Sequence, residues 1–365
     1  MKYLDGFRDP DAARFLRRRL EAAAARLAQA GRSVRLMEVC GTHTMAIARH
    51  GLRDFLPDNV SLCSGPGCPV CVTDAGYIDA ALELARRGVT IATFGDLVRV
   101  PGSSATLAEA RAEGARVVVC YSPAEALALA RAPGAPEVVF LGVGFETTVA
   151  PLALLLRSAV AAGATRFSML AALKTVPRAL AALAEDPEVG VNGFLCPAHV
   201  SAVIGAAAYE PLVERYRIPC TIAGFEPLDI LFGLVDLLEQ LADGRACVVN
   251  QYTRVVRPEG NRKAQAAIAE MLEPVDAAWR GLGVIPGSGL AIRERFAAFD
   301  AERRHGVAVR PGRPAPGCRC GDVLKGKILP DACPMFGGAC TPEHPVGPCM
   351  VSGEGSCAAH YKYAR

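Results

Sequence analysis

Between residue 34 and about residue 250 the hydrophobic positions fall in short β-branched runs separated by helical patterns roughly a dozen residues long, the alternation that βαβ units and parallel sheets produce. The runs predict strands at 34–39, 60–63, 89–93, 116–120, 138–143, 167–171, 193–196, 220–224 and 247–250. Pro133, Gly134, Ala135 and Pro136 end a helical pattern, because proline lacks the N–H a helix needs and its ring clashes with the preceding turn. A boundary there gives one α/β domain over residues 1–134 and a second over residues 135–274. Beyond residue 275 proline and glycine become dense, and six of the fourteen cysteines lie within residues 318–357. That stretch has too few apolar residues for a core of its own, so a third unit over 275–365 is expected to be organised by a metal centre. The fold class expected is two Rossmann-like α/β domains with parallel sheets plus a C-terminal cysteine-rich iron-sulfur domain.

The composition narrows the function. A hydrophobic fraction of 51% and a charged fraction of 21% belong to an ordered globular chain. Forty Lys and Arg against thirty-seven Asp and Glu leave +3, dispersed except for Arg17, Arg18 and Arg19, so no nucleic-acid partner is implied. The first thirty residues read as a polar amphipathic helix without the apolar segment of a secretory signal, and no apolar run reaches the ~18 residues of a membrane span. A soluble, cytoplasmic protein with no membrane partner is expected. Fourteen cysteines in that setting point to metal or redox chemistry, because the cytosol keeps ordinary thiols reduced.

Two groups of cysteines stand out. Cys40 in MEVCGTHT, and Cys68 and Cys71 in CSGPGCPVC, each follow a predicted strand and precede a helix. Ligands of open parallel sheets bind outside the carboxyl ends of the strands, so these three thiols can converge if their strands are neighbours. Gly65, Pro66 and Gly67 tighten the second loop, and helix N-termini favour thiolates. His43 is a fourth ligand, a proton carrier, or simply a satisfied residue in the first turn of its helix. The Cys68-x-x-Cys71 pair alone fits a redox disulfide as well as a metal pair, and soft thiolates suit iron, zinc or copper(I). Cys63, ending an apolar strand, reads as a buried small hydrophobe.

The second group is Cys318, Cys320, Cys333, Cys340, Cys349 and Cys357. Two close Cys-x-x-Cys pairs, as a zinc ribbon wants, are missing, whereas four thiolates can hold a four-iron four-sulfur cluster and leave two as a neighbouring pair. This division resembles ferredoxin-thioredoxin reductase, where a Cys-x-Cys supplies a cluster ligand and then a redox thiol. The resemblance implies Cys318, Cys333, Cys340 and Cys357 as cluster ligands, with Cys320 and Cys349 as the redox pair.

CGTHT at residues 40–44, GPGCPVC at 65–71, GFETT at 144–148 and the cysteine-rich tail together resemble the HypD hydrogenase-maturation family over nearly the whole chain. That resemblance implies a scaffold for the iron centre of nickel-iron hydrogenase. It further implies Cys40, Cys68 and Cys71 as thiols holding iron that carries cyanide and carbon monoxide, a HypC-type small chaperone as partner and a HypE-type protein as cyanide donor. A cluster-dependent thiol-disulfide oxidoreductase is the alternative. A nucleotide-dependent enzyme is disfavoured: GVGFETT at 142–148 lacks the third glycine of a dinucleotide fingerprint, and no Gly-x-x-x-x-Gly-Lys-Ser/Thr sequence occurs. Within GFETT, Glu146 is expected to cap a helix. His199, in CPAHVSAVIG, is expected to be structural, though with Cys196 it could face the same cleft.

Overall fold

In the computed structural model, which describes residue 6 and residues 9–363, every apolar run identified above forms a strand. These are β1 (Val34–Glu38), β2 (Val60–Ser64), β3 (Thr90–Thr93), β4 (Val117–Val119), β5 (Val138–Gly144), β6 (Phe167–Lys174), β7 (Gly193–Pro197), β8 (Cys220–Ala223) and β9 (Val248–Asn250). Four of the nine, β3, β5, β7 and β8, are buried along their whole length, which is why they read as continuous apolar runs and not as alternating ones. Two further strands, β10 (Leu272–Trp279) and β11 (Gly283–Ile292), form an antiparallel hairpin.

The strands form two sheets. The first has the order β2-β1-β7-β8-β9 and is parallel throughout; the second has the order β10-β11-β6-β5-β3-β4, parallel from β6 to β4 and antiparallel at the added hairpin. The architecture is thus α/β with largely parallel sheets, as expected, but the linear division at residue 134 does not separate them. The chain makes β1 and β2, leaves to build β3 to β6 of the second sheet, and returns so that β7 pairs with β1. Strands adjacent in sequence are neighbours only about two-thirds of the time, and here the exceptions define the fold. Beyond residue 275, β10 and β11 extend the second sheet, and the 3-10 helix Glu294–Phe299 and the short helix Ala301–His305 pack on it.

Helix α1 (Pro10–Gln29) starts at Asp9, whose side chain accepts from the Asp11 and Ala12 N–H groups, with proline in the first turn. It buries Leu16, Leu20, Ala23, Ala24 and Leu27, a stripe at helical spacing, against helix Pro227–Ala242 of the first sheet. Arg19 fixes that contact by donating to both carboxylate oxygens of Glu239, at 2.9 and 2.7 Å. Among the described residues, no helix is long and apolar enough to cross a membrane. A single apolar cluster containing Met37, Phe145, Cys196, Trp279 and Cys349 joins both sheets to the C-terminal segment.

Candidate functional site

β1 and β2 are adjacent and in parallel register, with Glu38 beside Ser64, so the loops that follow them emerge side by side. Cys40 caps helix α2 (Gly41–Arg49), and Cys68 caps α3 (Pro69–Val72), its sulfur accepting from the Cys71 N–H at 3.3 Å. The loops touch through their backbones: Gly41 N donates to Gly67 O at 3.1 Å, and a Cβ on Gly67 would lie 2.2 Å from Cys40 N. Only glycine permits that approach. The condition for the three thiols to gather is therefore met.

Cys71 joins this group to the tail. Its sulfur lies 3.9 Å from Pro348 O and interacts with both Cys68 and Cys349. Cys349 in turn interacts with Cys320 and Cys357, and Cys320 with Cys318. All six tail cysteines line one cavity, with Met335, Phe336 and Met350 as its apolar walls. Cys320 and Cys349 are thus neighbours, and thiols run without interruption from Cys68 to Cys318. Among the described residues no three His, Cys, Asp or Glu side chains come close enough to hold a single metal ion. The Cys40 sulfur has the His199 ring at 3.7 Å, while Cys71 turns to the tail.

Burial, not the helix N-termini, governs these thiols. It pushes Cys40 up to about 12, with the Glu354 carboxylate adding to the effect and hydrogen bonds from the α2 N-terminus opposing it. Burial likewise holds Cys71 well above the usual thiol range. The α2 N-terminus does act toward the Cys40 thiolate, as expected, but complete desolvation outweighs it. Binding a metal here must release protons.

Of the alternatives for His43, the structural one is met at one ring nitrogen. Its Nε2 donates to Gly224 O at 2.8 Å, its Nδ1 has no partner, and burial lowers its pKa to about 4. The imidazole beside Cys40 is that of His199, which, like His43, packs on Phe225. Glu146 does cap a helix: its Oε1 accepts from Val176 N at 2.9 Å, at the start of helix Val176–Glu185. The glycines of GVGFETT serve packing, since a Cβ on Gly142 would meet Met169 at 2.6 Å and one on Gly144 would meet Thr148 at 2.4 Å. Cys63 is buried, 3.4 Å from Leu36 O, against Gly326.

The family model described as "HypD: Hydrogenase formation hypA family" matches residues 15–364. The chain belongs to the HypD family. It is 49% identical to the hydrogenase expression/formation protein HupD of Azotobacter chroococcum mcd 1, and 48% identical to the hydrogenase maturation factor HypD of Azotobacter vinelandii; each match covers 100% of this chain and 97% of the relative. The hydrogenase maturation factor HypD of Escherichia coli strain K12 is 44% identical over 100% of this chain and 98% of its own.

Three residues of this HypD site were not singled out from sequence. Glu38 lies beneath Cys40, accepting from Cys40 N at 3.2 Å and from Thr44 Oγ1 at 2.6 Å; burial pushes its carboxyl up to about 7 against hydrogen bonds from Ser64 and Thr44. Glu354 reaches from the tail to Thr42 Oγ1 at 2.8 Å. Arg280 ties the β10–β11 turn to the Cys71 loop: its N donates to Val72 O at 2.8 Å and its Nε to Thr73 O at 3.0 Å. A buried amino group of Arg280 is left unpartnered, and its charge acts on Cys318 and Cys320. The one available signal was a charged residue inside an apolar run, as in MEVC.

Proposed function

We propose that this chain is a hydrogenase maturation factor in which Cys40, Cys68 and Cys71 transiently hold iron carrying cyanide and carbon monoxide. The maturation role rests on family membership and on relatives that bear that name along their full length. The iron-holding role is carried by one observation, the backbone contact of the Cys40 and Cys68 loops at Gly67. Among the described residues no three such side chains are drawn together for one ion, so in this reading a partner would supply further ligands, which leaves positions open for loading and release. A HypC-type small chaperone is the partner expected to share the iron, and a HypE-type protein the cyanide donor. The cytoplasm is the expected compartment.

The tail cavity suits a four-iron four-sulfur cluster in chemistry: six thiols and otherwise apolar walls. In a cluster the thiolates bind different irons, so they need not converge on one point. Cys318, Cys333, Cys340 and Cys357 would hold it, and it would supply or accept single electrons. Cys320 and Cys349, in contact with each other, would be the redox pair, and Cys349 borders Cys71.

Infrared spectroscopy of the protein purified with its partner tests the reading. Cyanide and carbonyl stretches are expected, and Cys40→Ala should remove them. A complex that supports hydrogenase maturation yet never displays those bands would refute iron carriage.

A further inference from the structure

A second polar cavity lies away from the thiols, at the carboxyl end of β6. It has a volume of about 240 Å³, below the ~300 Å³ at which sites for drug-sized ligands begin, and so suits a metabolite-sized molecule. Lys174, the last residue of β6, lines it and is 4% exposed. Its ammonium makes no hydrogen bond or ion pair with any described residue; it lies 5.8 Å from the Trp279 ring and feels the charge of Asp74. A buried cation without an acceptor is costly, and a ring at that distance offsets only a small part. Burial accordingly pulls the lysine down to about 8, with Asp74 opposing.

The rim carries the opposite charge. Asp74, Asp276, Asp300 and Glu302 line the same cavity, each more exposed than Lys174. Each spends one oxygen on the local backbone: Asp74 on Gly76 and Gly312 N, Asp276 on Gly287 N, Asp300 on Glu302 N and Glu302 on Val309 N. Those bonds fix the carboxylates in place; Asp300 is also paired with Arg303 at 3.4 Å, whereas Asp74, Asp276 and Glu302 have no ion pair with any described residue. A simple anion would meet repulsion at the rim, and a simple cation would meet repulsion at the base. We propose that this cavity binds a small zwitterion of the amino-acid class, its carboxylate on the Lys174 ammonium and its ammonium among the rim carboxylates.

The full-length protein is screened against the twenty standard amino acids by thermal shift, and the best binder is titrated calorimetrically beside its two halves, one lacking the ammonium and one lacking the carboxylate. At least one amino acid should bind, and each half should bind at least tenfold more weakly. Lys174→Met should reduce affinity at least tenfold, and Asp276→Asn, which keeps the acceptor for Gly287, about threefold. Binding should slow hydrogen exchange in wild-type protein at β6 and the β10–β11 hairpin, a readout that needs no variant to fold. The proposal is overturned if none of the twenty binds, if the carboxylate-only half binds as tightly as the whole, if folded Lys174→Met binds like wild type, or if the slowed exchange lies elsewhere.

Discussion

Glu146→Gln isolates the cost of one buried carboxyl. Glu146 is 4% exposed; one oxygen accepts from Val176 N, the other has no partner, and burial lifts its pKa from 4.5 to about 7. Between those values the folded protein retains a proton that the unfolded chain has lost, so stability falls as pH rises through the window. At ~1.4 kcal/mol per tenfold, the full effect is about 3 kcal/mol by pH 8. Glutamine keeps the acceptor for Val176 and does not ionise. The variant should therefore differ little from wild type near pH 4.5 and be relatively more stable by about 3 kcal/mol at pH 8. Glu38 and His43 also titrate differently in the folded state, Glu38 raised and His43 lowered; comparing the two proteins at each pH cancels both. Urea denaturation is read conveniently from Trp279, the single tryptophan, which is buried and stacked on Phe145 at 5.7 Å. A stability difference that changes by less than about 1 kcal/mol from pH 4.5 to 8 would refute the reasoning, since the carboxylate would then be compensated in the fold.

Cys40→Ala should abolish hydrogenase maturation and Cys63→Ala should largely spare it, measured as hydrogenase activity in cells; equal loss from two folded variants would contradict the assignment. Alanine at Cys318, Cys333, Cys340 or Cys357 should remove iron and the cluster's charge-transfer absorbance, whereas Cys320→Ala and Cys349→Ala should retain both. Retention at Cys357 with loss at Cys349 would exchange those two roles. Gly67→Ala places a carbon 2.2 Å from Cys40 N, so it should lower the melting temperature and impair iron loading together. A variant that melts normally and loads iron would show that the loops can separate freely.

The strands were legible because parallel strands covered on both faces leave continuous apolar runs, as VVFLGVG does in β5. Their partners were not, because nothing local to β1 says that β7, rather than β3, lies beside it. The β10–β11 hairpin escaped notice for a local reason: Pro274 and Pro286 break the strand pattern. Proline is tolerated at sheet edges and bulges, and β10 is an edge strand with a register irregularity between Val275 and Ala277. At the thiol site, the cysteines could be read from strand-end position. That His199 and not His43 lies beside Cys40 depends on packing between segments far apart in sequence. The desolvation that outweighs the helix N-terminus at Cys40 could not be read, because burial is a property of the finished fold.

The return of the chain to its first sheet bears on how the protein is made. β1 and β2 leave the ribosome early, but β1 lacks its other neighbour until β7 emerges, and the His199 beside Cys40 follows directly after it. At ~5 to 20 residues per second, the interval is on the order of ten seconds. During that time the Cys40 and Cys68 loops belong to an unfinished two-stranded ribbon, and such ribbons are marginally stable alone. The tail that carries Cys349 to Cys71 is synthesised last of all. Vectorial synthesis therefore completes the thiol path only when the chain is nearly whole.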